Sequence, residues 1–76
     1  MKSIYSKEYS QLLIKLIEAR TKAGITQQEV ADKLNKPQSF VSKYETGERR
    51  LDIIEFLKIC KILSADYIKI LSSIKV

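Results

Sequence analysis

The sequence predicts an all-α protein, a compact five-helix domain spanning residues 1–76, and three observations carry that expectation. Apolar residues recur at helical spacing along most of the chain. Two stretches, Thr26 to Glu29 and Asp52 to Glu55, have the form in which a cap side chain and a glutamate three residues on satisfy free helix-end donors reciprocally. Punctuation is sparse, with breakers only at Gly24, Pro37 and Gly47, and no stretch alternates with period two. No internal repeat or linker divides the chain.

The first helix is expected from about Ser6 to Ala23. Tyr9, Leu12, Leu13, Leu16 and Ile17 stand at i, i+3, i+4, i+7 and i+8, one buried stripe. Ser6 is a suitable N-cap, Glu8 suits the first turn, and Gly24 supplies the left-handed residue that stops a helix. The second helix is Gln27 to Leu34, with Val30, Ala31 and Leu34 facing inward. Asn35 adopts a left-handed conformation more easily than most residues and Pro37 is tolerated only at a helix start, so Asn35-Lys36-Pro37 reads as a tight turn. The third helix covers roughly Gln38 to Thr46 and buries Val41 and Tyr44. After the charged loop Glu48-Arg49-Arg50, Asp52 opens a fourth helix whose stripe is Ile53, Phe56, Leu57, Cys60 and Leu63. Asp66 can cap a fifth, carrying Tyr67, Ile70, Leu71 and Ile74.

Composition removes several classes of function. A folded chain of this length buries only about 60% of the surface its unfolded form exposes, so efficient packing or a second copy is needed. The single Cys60 closes no intramolecular disulfide, and without His or a Cys cluster the usual zinc ligand sets are missing, so neither metal nor cofactor is expected. The longest apolar run, Leu12 to Ile14, is far short of a membrane span, and the N-terminus lacks a signal peptide's apolar centre. A cytoplasmic protein with no membrane partner is the expectation. An enzyme is not expected: there is no His and no glycine-rich phosphate loop, and Cys60 falls on a buried stripe. The net charge of +5 permits an anionic partner without requiring one.

The informative segment is Thr26 to Gly47, two short helices joined by a three-residue turn. With Val41 and Tyr44 turned to the core, the third helix leaves Gln38, Ser39, Ser42, Lys43 and Thr46 on its other faces. The DNA major groove admits an α-helix, and its base edges suit these groups: Gln pairs bidentately with adenine, Lys reaches guanine or phosphate, Ser donates or accepts. On an isolated helix a solvated polar face is the simpler reading, so the surroundings decide.

Those surroundings resemble the phage-repressor-like helix-turn-helix family, of Cro and lambda repressor type, also called the xenobiotic-response-element family. The resemblance covers about residues 9–71 and rests on Gly24-Ile25-Thr26-Gln27-Gln28-Glu29-Val30-Ala31, Leu34, Val41-Ser42-Lys43-Tyr44-Glu45-Thr46-Gly47 and Arg49-Arg50-Leu51-Asp52. Asn35 and Ser64 stand where the family usually has Gly. The resemblance implies a lambda-repressor-like DNA-binding fold with its helix-turn-helix core at about 26–46 and dimerising helices at about 52–75. Gln38 is implied as the first base-reading residue, braced by Gln27, with Ser39, Ser42 and Lys43 as the remaining groove-facing side chains. Phosphate suits Lys43 equally well, and Ser42 can instead be solvated. Gln27, Lys36, Thr46, the Gly47 N–H, Arg49 and Arg50 are implied phosphate contacts, although one of the arginines can instead pair with Glu48 or Asp52. Arg20 and Glu45 are implied as an ion pair tying the first helix to the recognition helix. Phe40 can meet a thymine methyl or pack against the second helix, and packing is the favoured reading.

Charge and apolar surplus agree with that assignment. Residues 20–50 carry seven basic and four acidic groups, a net +3, against +1 for residues 51–76. Ile54, Ile62, Ile68, Ile74 and Val76 exceed what one core-facing stripe can use, and an exposed cluster of this kind marks an interface unless it fills a small core. The resemblance implies a two-fold homodimer built on such residues, with Ile54, Ile62, Ile68 and Ile74 at its interface. Recognition helices would then lie about 34 Å apart, over a palindromic operator. The leading expectation is a dimeric, sequence-specific repressor of transcription acting on double-stranded DNA. The alternatives are an antitoxin-like DNA-binding protein whose C-terminal apolar surface binds a partner protein, and a helical interaction module without DNA function.

Overall fold

A computed structural model describes residues 6–76; the first five residues of the expected domain lie outside the described residues. The element order is α1 (Lys7–Ala23), α2 (Gln27–Leu34), α3 (Gln38–Thr46), α4 (Ile53–Leu63) and α5 (Tyr67–Ser72), with no strand among the described residues.

Local chemistry accounts for each boundary. The Tyr9 N–H donates to the Ser6 hydroxyl at 3.1 Å, opening α1. At α2 the Glu29 N–H donates to Thr26 Oγ1 at 3.1 Å while the Thr26 N–H donates to Glu29 Oε1 at 2.8 Å, so both halves of the capping box form. Asp52 and Glu55 repeat the arrangement at α4, at 2.7 and 2.9 Å. Four helices end on a left-handed residue, and two of these are not glycine: Asn35 at φ 63° and Ser64 at φ 54°. Asn is at ease there. Ser is not, so α4 ends at a conformational cost that a glycine would remove.

The core comprises Leu13, Leu16, Val30, Ala31, Phe40, Val41, Tyr44, Phe56, Ile59, Cys60 and Leu63. Val30, Ala31 and Val41 are fully buried, and the small Ala31 allows α2 and α3 to approach closely. The Leu51 N–H donates to the Tyr9 hydroxyl at 3.0 Å, fastening the segment before α4 to α1. Cys60 is buried as expected, and desolvation pushes its thiol up to about 11.

Two parts of the C-terminal reading need correction. The α4 stripe is Phe56, Ile59, Cys60 and Leu63 with Leu57 packed at its side, whereas Ile53 is 59% exposed. Ile53 is the first residue of the helix and projects beyond the core's edge, while Ile59 lies one turn from both Phe56 and Leu63. In the short α5 only Ile70 packs against the core; Tyr67 and Leu71 are exposed, and Ile74 lies past the helix end, half-buried.

Candidate nucleic-acid interface

The two helices of the motif are tied to α1 by a continuous polar chain. Arg20 Nε donates to Glu45 Oε2 at 2.7 Å and its Nη2 to Glu45 Oε1 at 3.3 Å, while its Nη1 holds the Ile25 carbonyl at 2.9 Å. The Glu45 side chain is 6% exposed, so this ion pair is largely withdrawn from water. The carboxylate at its side strengthens the Arg20 guanidinium's hold on its proton. Glu45 Oε1 also accepts from Gln27 Nε2 at 2.8 Å, and Gln27 Oε1 in turn accepts from Gln38 Nε2. The amide expected to read the first base is thus fastened through Gln27 to a part-buried ion pair.

Gln38, Ser39 and Lys43 are exposed and Ser42 is half-buried. At i, i+1, i+4 and i+5 they share one side of α3, away from Val41 and Tyr44. Phe40 does not join them. It is buried edge-on against Tyr44, the ring centres 5.8 Å apart, and its remaining face carries two cations: the Arg49 guanidinium at 4.7 Å and Lys36 Nζ at 5.5 Å. Phe40 therefore acts as a platform for two of the expected phosphate contacts. Spacing pointed to packing, but the stacking of Arg49, beyond the helix end, could not be read from the sequence.

The loop after α3 departs from expectation. Gly47 is buried and its N–H donates to the Tyr44 carbonyl at 3.2 Å, closing the helix at φ 84°. That N–H is engaged in closing the helix. The Thr46 hydroxyl donates to the Lys43 carbonyl at 3.2 Å and must rotate before it can donate to a phosphate, which only accepts. Arg49 pairs with neither Glu48 nor Asp52 but with Glu55, through Nη1 at 3.1 Å and Nη2 at 3.0 Å. This contact and the Asp52 N–H hold the Glu55 carboxyl below the usual carboxylate range. Arg50 is exposed with its guanidinium 4.4 Å from the Tyr9 ring centre. Gln27 sits half-buried at the first position of α2.

Of the residues expected at a dimer interface, Ile54 and Ile68 are exposed, at 56% and 65%, whereas Ile62 and Ile74 are half-buried. Ile62 packs partly against the core, so only part of its surface remains for a partner. Among the described residues no helix is long and apolar enough to cross a membrane.

The helix-turn-helix family model HTH_3 matches residues 16–67, a span that contains the Arg20–Glu45 pair, both helices of the motif and α4. The chain belongs to the XRE-type helix-turn-helix family. It is similar to an XRE-family like protein from Pseudomonas syringae pv. tomato, with 53% identity over 87% of this chain and 80% of that one, at a TM-score of 0.83. The clp gene regulator ClgR from C. glutamicum shares the fold, with 21% identity, a TM-score of 0.78 and coverage of 93% of this chain and 91% of that one. Among curated proteins none matches the sequence. Membership in the XRE-type helix-turn-helix family makes this a DNA-binding transcriptional regulator.

Proposed function

We propose that the protein is a homodimeric, sequence-specific repressor that reads a palindromic operator with α3 in the major groove and occludes the promoter. The observation that carries this reading is the relay from Arg20 through Glu45 and Gln27 to Gln38, which holds a base-reading amide in place at the head of α3. Ser39, Ser42 and Lys43 continue the same flank and supply the remaining groove contacts.

Phosphates on either side of the groove are met by Gln27 at the positive end of α2 and by Lys36, Arg49 and Arg50, with Thr46 added by rotation of its hydroxyl. Arg49 exchanges its half-buried carboxylate partner for a phosphate, at little cost because such surface pairs contribute little. Two copies joined through Ile54 and Ile68, with Ile62 and Ile74 at the margin, set the recognition helices about one DNA turn apart. The protein acts in the cytoplasm, on its operator.

Selection of bound duplexes from a random pool tests the reading. The expected product is a palindrome with half-sites one turn apart, bound with steep salt dependence. Absence of any enriched sequence, with binding indifferent to salt, contradicts it.

A further inference from the structure

We infer that Glu45 governs base choice: acting through Gln27, it dictates which atoms Gln38 offers to the major groove and so selects adenine over guanine at the pair Gln38 reads. The inference rests on the groove reading of α3 above and adds a positioning residue to it.

A glutamine amide presents an oxygen that accepts on one side and an NH2 that donates on the other, and turning it over exchanges them. Here neither amide is free to choose. The Glu45 carboxylate only accepts, so Gln27 must turn its NH2 toward Glu45 Oε1 and its oxygen toward Gln38. Gln38 must then turn its own NH2 toward Gln27. One Gln38 hydrogen is committed to that bond. What remains for the groove is one N–H donor and a carbonyl acceptor, the complement of adenine's N7 acceptor and N6 donor. Guanine offers two acceptors, N7 and O6, and the oxygen of Gln38 would face one of them without a hydrogen between.

Arg20 makes the arrangement switchable by one atom. Its Nε donates to Glu45 Oε2 at 2.7 Å and its Nη2 to Glu45 Oε1 at the longer 3.3 Å, so a single remaining oxygen is kept at the Oε2 position, where the shorter bond lies, and the Nη2 contact is given up. In Glu45→Gln the new NH2 therefore falls at the Oε1 position facing Gln27. Gln27 turns its oxygen to meet it and its NH2 to Gln38. Gln38 then accepts from Gln27 and presents both of its amide hydrogens to the groove, the complement of guanine.

The test is base preference, which a purely structural ion pair would leave unchanged. Wild type, Gln38→Ala, Glu45→Gln and Gln27→Ala are compared by sequence selection, the pair read by Gln38 being the one whose preference disappears in Gln38→Ala. At that pair wild type is expected to select adenine, and Glu45→Gln to lower the adenine-to-guanine ratio by roughly tenfold or more, with other positions unchanged. Gln27→Ala cuts the relay while leaving both Arg20–Glu45 contacts in place and is expected to bring adenine and guanine toward parity; it decides the matter if circular dichroism finds Glu45→Gln unfolded. An adenine preference that survives in Glu45→Gln or, should that variant be unfolded, in Gln27→Ala overturns the inference while leaving the groove reading intact. A wild-type preference for another base at this pair also overturns it, whereas a wild type that selects no sequence defeats the groove reading itself.

Discussion

The motif and the C-terminal helices solve opposite problems. Between Arg20 and Glu45 apolar side chains such as Val30, Val41 and Tyr44 are fully buried, and the polar side chains of the relay are partnered within the chain. In α4 and α5, by contrast, Ile53, Ile54, Tyr67, Ile68 and Leu71 stand exposed, and α5 places no residue fully in the core. The helix-turn-helix motif is packed and partnered within one copy of the chain. The C-terminal half has an apolar surface that a second copy can cover, which accords with the small core available to a chain of this size.

The largest effect that could break this contrast is loss of the part-buried ion pair. Glu45→Ala leaves Arg20 charged and without its carboxylate, and is expected to destabilise the fold by about 3 kcal/mol in urea unfolding. A neutral result would mean that the motif does not depend on the pair. Next comes the C-terminal face: Ile68→Asp is expected to abolish dimerisation in sedimentation and to lower operator affinity at least tenfold while circular dichroism is unchanged, because Ile68 is 65% exposed and its substitution disturbs no core contact. An unaltered dimer would move the interface elsewhere.

Salt dependence examines the reading head from outside. With Lys36, Arg49 and Arg50 from each of two copies on phosphate, the slope of log affinity against log salt is expected near about −5, and Arg50→Ala to reduce it by roughly 2 per dimer. A smaller effect is expected at the end of α4. Ser64 holds φ 54°, so Ser64→Gly is expected to stabilise the protein by about 1 kcal/mol, seen as a raised Tm.

Acid tests the contact between the two regions, the Arg49–Glu55 ion pair. Because the folded state lowers the Glu55 pKa, its contribution is fully present above the ordinary carboxylate value of about 4.3 and is lost as pH falls through the lower folded value. Stability should fall over that window in wild type, and less steeply in Glu55→Gln.

How far the sequence could be read divides along the same line. The boundaries of α2 and α3 were legible because caps, turn residues and apolar spacing all act within a few residues of one another, as at Thr26, Asn35 and Gly47. In α4 two stripes were compatible with helical spacing, and only the position of the core relative to the helix start decides for Ile59 over Ile53. The partner of Arg49 was not legible for a related reason. It depends on how the loop turns back over α4, which local chemistry leaves open.

In the proposed complex α3 reads base edges and Gln38 leads that reading. Parallel measurement of wild-type and Gln38→Ala affinities for the selected operator and for random duplex tests it most directly. A loss of about 1–3 kcal/mol on the operator, confined to one pair per half-site and absent on random DNA, is the predicted result. An equal loss on both duplexes would contradict it.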